Sequence, residues 1–217
     1  MIETGVSFND IHSFYDLNLV LSSVTISPAE PKETLVDIPG ADGSLDMTEA
    51  HGEVKFKDRT LKLVFTVHPL DRMTFEERKT AVSNALNGLR CKITLDKDLD
   101  YYYDGRCKVD EYMQDRNLKQ ITVSATVRPY KLKHAVTVCR FNLTAAEQVV
   151  TLENERKRVV PVIECTADNT HIVFNGNDFN LSAGKHKILD ICLTAGKHVL
   201  KLTGSGTITF TYQEGAL

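Results

Sequence analysis

Three carboxylates at alternate positions, Asp96, Asp98 and Asp100, have the spacing with which a calcium-binding loop begins. Such a loop needs a glycine at its sixth position for a sharp turn and a glutamate at its twelfth; here those positions hold Tyr101 and Cys107. The run therefore reads as a solvated acidic hairpin tip leading into Tyr101, Tyr102 and Tyr103. His186 and His198 end two copies of one pattern, Leu181-Ser-Ala-Gly-Lys-His186 and Leu193-Thr-Ala-Gly-Lys-His198, and His171 begins a neighbouring strand. A three-histidine metal centre is geometrically conceivable, but the spacing matches no known ligand pattern, and strand starts exposed beside Lys185 and Lys197 are the simpler reading. Arg156, Lys157 and Arg158 are the densest basic cluster, yet Glu153 and Glu155 flank it, and capturing a phosphate backbone takes many cooperating cations. The sequence holds no GxSxG, HExxH, GxxxxGK[ST] or GxGxxG pattern. No nucleophile, metal set or cofactor site emerges, so no enzymatic activity and no cofactor are expected.

The five cysteines, at 91, 107, 139, 165 and 192, are odd in number and contain no CxxC pair. Neither a disulfide framework nor a zinc site is indicated, and their apolar settings suit small buried hydrophobes in a reducing cytosol. The chain has 217 residues, with 26 Lys and Arg against 29 Asp and Glu, for a formal net charge of -3. That excludes a basic nucleic-acid binder, while 42% hydrophobic and 25% charged residues are ordinary for a globular protein. The first ten residues carry Glu3 and Asp10 and no basic lead into an apolar core, so no secretory signal is expected; no apolar run reaches the roughly 18 residues of a membrane helix, so no membrane insertion is expected. Asn142-Leu-Thr144 and Asn180-Leu-Ser182 match the glycosylation sequon without a secretion signal to use it.

The elements that carry these residues are mostly strands. Leu17, Leu19 and Leu21 alternate with polar or exposed positions, as do Leu61, Leu63, Phe65 and Val67, each a strand with one buried face. Glu53 to Lys57, the charged pair Asp58-Arg59 and the Leu61 run read as one hairpin. Ile121, Val123, Ala125 and Val127 form another strand, pairing with Arg106 to Tyr112. One helix is expected over about 72–88: Thr74 and Glu77 have capping-box spacing, Phe75, Val82, Ala85, Leu86 and Leu89 recur at helical intervals, and Gly88 closes the end. The pattern changes after Lys133, which sets a boundary between domains 1–133 and 134–217. The first holds 18 basic and 21 acidic residues, the second 8 of each. In the second, Thr170 to Phe174, Asn175-Gly176 and Asn177 to Leu181 spell a hairpin with a type I′ turn, and Thr207 to Tyr212 a last alternating strand. About seven short strands without a helix suggest a β-sandwich. The fold class is mainly β, a β-rich α+β arrangement.

One stretch carries a family likeness. Val36-Asp-Ile-Pro-Gly-Ala-Asp-Gly-Ser-Leu-Asp-Met-Thr-Glu49, then Gly52 to Arg59 and Leu61 to Phe65, resembles the first domain of siphophage distal tail proteins; Leu193 to Leu200 and Gly204 to Leu217 resemble that family's C-terminus. As physical chemistry the motif is a turn: Pro39 fixes φ, and Gly40 and Gly43 allow positive φ on either side of Asp42. The resemblance implies a tail-tube-like β-sandwich with one packed helix, which forms a ring, followed by a small galectin-like β-sandwich facing outward. It implies a homohexameric hub at the virion tail tip, made in the host bacterial cytoplasm. The partners it implies are a tail-tube protein, a tail-associated hub protein and receptor-binding or baseplate proteins, with DNA passing through the ring without specific binding. An acidic first domain suits such a conduit because it repels phosphates. A host-glycan adhesin is the alternative from another class, and a tail-tube protein proper is another. The adhesin needs exposed stacking aromatics, but the chain has no Trp, and Phe141, Phe174, Phe179, Phe210 and Tyr212 are the only aromatics of the second domain, most of them at core positions.

Overall fold

A computed structural model describes residues 5–50, 52–69, 71–115 and 118–217, so Glu3 lies outside the described residues. The chain forms two compact units, one ending at Lys131 and the other running Leu132–Leu217.

The first unit holds β1 (Val6–Phe8), β2 (Ile11–His12), β3 (Leu19–Ile26), β4 (Leu35–Asp37), β5 (Ser44–Asp46), β6 (Arg59–Val67), α1 (Phe75–Leu86), β7 (Arg90–Leu95), β8 (Tyr101–Gln114) and β9 (Lys119–Val127). All but β4 and β5 among the strands join one antiparallel sheet in the order β2-β1-β7-β8-β9-β6-β3. Alternation decides which face is buried: Leu61, Leu63 and Phe65 of β6 are fully buried, as are Ile121 and Val123 of β9 opposite them in register. The ribbon curls, because Leu21 to Val24 of β3 line one groove with Gly5 and Leu95 to Lys97 from the other end of the strand order.

The β8–β9 pairing is as the alternation indicates, from Arg106 opposite Thr126 to Gln114 opposite Lys119. The hairpin expected from Glu53 to the Leu61 run does not form. β6 lies between β3 and β9, while Phe56 bridges to Pro31 and the Lys57 amide donates to the Glu30 carbonyl at 2.8 Å. Adjacency in sequence suggested a partner that long-range packing overrode. Leu17 precedes its strand, which starts at Leu19, and a bulge between Leu21 and Ser23 ends the simple alternation.

α1 is shorter than the expected 72–88. Its capping box is complete: the Glu77 amide donates to Thr74 Oγ1 at 3.3 Å, and the Thr74 amide to Glu77 Oε2 at 2.8 Å. Phe75, Val82 and Leu86 are buried against the sheet, joined on that stripe by Arg78, whereas Leu89 falls beyond the helix and is exposed.

In the second unit, β10 (Lys131–Lys133) begins at the boundary, and β11 (Thr137–Asn142), β12 (Gln148–Asn154), β13 (Val162–Cys165), β14 (Thr170–Phe174), β15 (Asn177–Leu181), β16 (Gly184–His186), β17 (Gly196–Thr203), β18 (Thr207–Tyr212) and β19 (Gly215–Ala216) follow. Two four-stranded antiparallel sheets, β11-β18-β13-β16 and β12-β17-β14-β15, enclose a core containing Leu152, Ile163, Ile172, Leu200, Ile208 and Phe210. The sandwich thus has eight strands rather than seven. Asn175 and Gly176 take φ of 50° and 83°, the type I′ conformation, so β14 and β15 pair from Thr170–Leu181 to Phe174–Asn177.

Candidate functional site

Residues 33–49 form an exposed arm of the first unit. Its root is pinned by backbone bonds from Lys32 N to the Lys55 carbonyl (2.7 Å) and from Lys57 N to the Glu30 carbonyl (2.8 Å). Beyond that root, β4 and β5 pair as Leu35–Asp46, Val36–Leu45 and Asp37–Ser44, and among the described residues they pair with no other strand. The Ser44 hydroxyl donates to Asp37 Oδ1 at 2.6 Å, and the Thr48 amide donates to Asp46 Oδ1 at 2.8 Å. The Thr48 bonds hold the Asp46 carboxyl below the usual carboxylate range.

Pro39, Gly40, Asp42 and Gly43 all lie in the loop joining β4 to β5, with Gly40 at φ 82° and Gly43 at φ 77°. A side chain at either glycine meets nothing within 4 Å, so the backbone angle alone selects glycine there. Asp42 stands exposed at the tip. Leu35, Val36, Ile38, Leu45 and Met47 are exposed as well, at 57, 46, 47, 49 and 39%. Five large apolar side chains on this two-stranded hairpin are an exposed apolar surface rather than a core, on an element that alone is marginally stable in water. Residues 33–49 also carry five carboxylates and no cation, so the rest of 1–133 holds 18 cations against 16 carboxylates. The acidity of the first domain is concentrated in this arm.

The first unit carries a second feature, a groove of about 620 Å³ at the end of α1, lined by the β7–β8–β9 face. Strand register assembles its charges: Arg90 of β7 stands opposite Arg106 of β8, which stands opposite Thr126 of β9, just before Arg128. Arg90 grips Asp104 through bonds of 2.8 and 2.6 Å, and Arg128 approaches the same carboxylate at 3.4 Å. Arg106 donates to the Gly88 carbonyl. Arg90 chiefly, with help from Arg128 and Lys92, pulls the Asp104 carboxyl below its ordinary range. With Lys108 and Asp58, the groove totals four cations and two carboxylates.

The other candidates are structurally engaged. Asp96 accepts from the Gly5 amide at 2.6 Å and from His12 Nε2 at 3.2 Å, while Asp98 accepts from Lys131 at 2.7 Å; the alternating aspartates tie down separate segments. His186 Nε2 donates to the Ser182 carbonyl at 2.8 Å and His198 Nε2 to the Thr194 carbonyl at 3.0 Å. The repeat is thus one turn used twice, on β16 and β17 of different sheets, and His171 faces Asp178 at 3.3 Å instead. No three such ligands gather among the described residues. Arg158 of the basic cluster donates to Cys192 Sγ at 2.7 Å. Burial pushes the Cys107 and Cys165 thiols up, and neighbouring Cys91 pushes Cys107 further, so both remain protonated at neutral pH. Of the second unit's five aromatics, Phe174, Phe210 and Tyr212 are buried, and Phe141 and Phe179 pack against the core.

No protein-family model matches the chain, and no curated protein matches it significantly. Among solved structures, it is similar to the SPP1 Dit protein, described as a paradigm of the hub adsorption apparatus in phages that infect Gram-positive bacteria. The two share 15% sequence identity with a TM-score of 0.68, covering 97% of this chain and 98% of that one. The chain therefore has the distal tail protein fold along nearly its whole length, the fold implied by the resemblance of its Val36 to Glu49 motif and its C-terminal segments.

Proposed function

We propose that this protein is a structural component of a non-contractile phage tail tip, a ring that joins the tail tube to the baseplate or receptor-binding apparatus and lets DNA pass. The observation that carries the reading is the shared fold with the Dit protein over 97% of the chain. The site chemistry supports it. His186 and His198, the histidines of the repeat, are each bound to a backbone carbonyl, and of the second unit's five aromatic rings three are buried and two are packed, partly buried, against its core, a poor platform for stacking a sugar. No helix is long and apolar enough to cross a membrane among the described residues.

In this reading residues 1–133 build a homohexameric ring and residues 134–217 form the outward-facing, galectin-like module. The Pro39, Gly40, Asp42 and Gly43 loop shapes an assembly surface and does no chemistry, and no cofactor is needed. The other contacts are a tail-tube protein, a tail-associated hub protein and receptor-binding or baseplate proteins. The ring assembles from protein made in the bacterial cytoplasm and ends at the tail tip of the virion. Electron microscopy of the concentrated protein, alone and mixed with its tail-tube protein, tests this: closed rings with six-fold symmetry are the expected result. Monomeric particles under both conditions overturn it.

A further inference from the structure

We infer that the acidic arm, residues 33–49, docks into the basic groove of a second copy of this chain and is the contact that closes the ring. The inference rests on the ring reading above and assigns its interface. Three observations meet. The arm presents Leu35, Val36, Ile38, Leu45 and Met47 to solvent on a hairpin whose outer edges pair with no other strand among the described residues. It carries five carboxylates and no cation. The groove of the same unit carries Arg90, Arg106, Lys108 and Arg128 against Asp58 and Asp104, an excess of two positive charges.

The two surfaces are opposite in sign, and the chain carries both. The arm is rooted beside the groove, since Asp58 lines the groove next to Lys57, which holds the arm's base. Yet every residue from Lys32 to Met47 is exposed, so the arm does not lie in its own groove. A projecting element and a receiving surface on one chain make a head-to-tail contact, the type that generates rings when the rotation closes. Charge complementarity fixes the docking partner and register, and the apolar side chains of the arm supply the area removed from water. Arg90 and Arg128 share Asp104, and Lys108 lies 3.0 Å from Asp110, yet their side chains remain 52, 59 and 73% exposed, so an incoming carboxylate reaches each of them from the solvent side.

Two full-length variants test this by native mass measurement. In one, Glu33→Lys, Asp42→Lys and Glu49→Lys turn the arm from a charge of -5 to +1; in the other, Lys108→Glu and Arg128→Glu turn the groove from +2 to -2. Each variant alone is expected to associate at least tenfold more weakly than the unaltered chain. An equimolar mixture restores assembly, because every junction then pairs opposite charges. Either variant assembling as well as the unaltered chain, or a mixture of two variants with native circular dichroism that stays monomeric, overturns the inference and leaves the ring intact. An unaltered chain that never assembles overturns the ring reading and the inference with it. Benzoylphenylalanine at Leu45 gives a second readout independent of charge: cross-links to β7, β8 or β9 of another copy are expected, and cross-links elsewhere sink the assignment.

Discussion

Asp71 and Arg78 are the most buried ion pair of the described residues, with side chains 4 and 5% exposed and two bonds of 2.6 Å between guanidinium and carboxylate. Arg78 holds the Asp71 carboxyl below its ordinary range, chiefly by those bonds. Removing the cation strands a buried anion, so Arg78→Ala is expected to destabilise the protein by about 3–5 kcal/mol in urea unfolding. The sign with pH follows from a depressed folded-state value. The stability is fully present above the ordinary aspartate range near pH 4 and is lost as pH falls through the lower folded value of Asp71, and likewise of Asp104. Stability measured between pH 5 and 2 will fall in the unaltered protein and fall less steeply in Asp71→Asn. Nothing in the sequence singles out this pair, because seven residues separate its members and one precedes the helix cap. The glycines at 40 and 43 were legible, since Pro-Gly-x-Asp-Gly allows few backbone shapes. Their setting was not, and it changes what a substitution does. With empty space around Gly43, Gly43→Val incurs only backbone strain of about 1–2 kcal/mol, on an arm outside the core. The expected result is weakened assembly with a melting temperature near that of the unaltered chain, whereas Asp42→Asn leaves folding unchanged. A collapse of the whole fold in Gly43→Val would show that the arm is part of the core.

The helix, the type I′ hairpin of β14 and β15 and the last strand all stood in the sequence because short-range rules produce them: a cap, a turn dipeptide, an alternation. Thr74→Ala tests the first of these. It removes the acceptor for the Glu77 amide and is expected to cost about 1 kcal/mol, while Thr74→Ser retains the bond and most of the stability. Partners of strands are another matter. β6 reads correctly as a strand with Leu61, Leu63 and Phe65 inward, yet its neighbours are residues 19–26 and 119–127, and no local signal points to either. The basic groove was invisible for the same reason. Arg90, Arg106 and Arg128 are scattered along the chain and become neighbours only through the registers of β7, β8 and β9. The arm shows the converse case. Its motif was plain and its exposed apolar side chains were present in the letters, but alternation alone does not tell a strand packed on a core from one that waits for a partner.

Taken whole, the molecule has a net charge of -3 that says little about where its fields point. The arm carries -5, the remainder of residues 1–133 carries +2, and residues 134–217 balance to zero. A ring built by seating the arm on the groove would offset two of the arm's five negative charges at each junction, so the field of such a ring would depend on that pairing rather than on the composition of one copy. The two forces at such a junction respond oppositely to salt. Charge pairing is screened as the Debye length falls from about 30 Å at 0.01 M to about 3 Å at 1 M, whereas apolar burial is strengthened by excluded salts such as sulfate. Sedimentation of the full-length chain across 0.05 to 1 M sodium chloride is therefore expected to show assembly weakening steadily with ionic strength. A matched series in ammonium sulfate will weaken first and then recover as the exposed apolar side chains Leu35, Val36, Ile38, Leu45 and Met47 are driven from water. Assembly that only strengthens with chloride would mean that those side chains work alone, and the carboxylates of the arm would then be there for solubility.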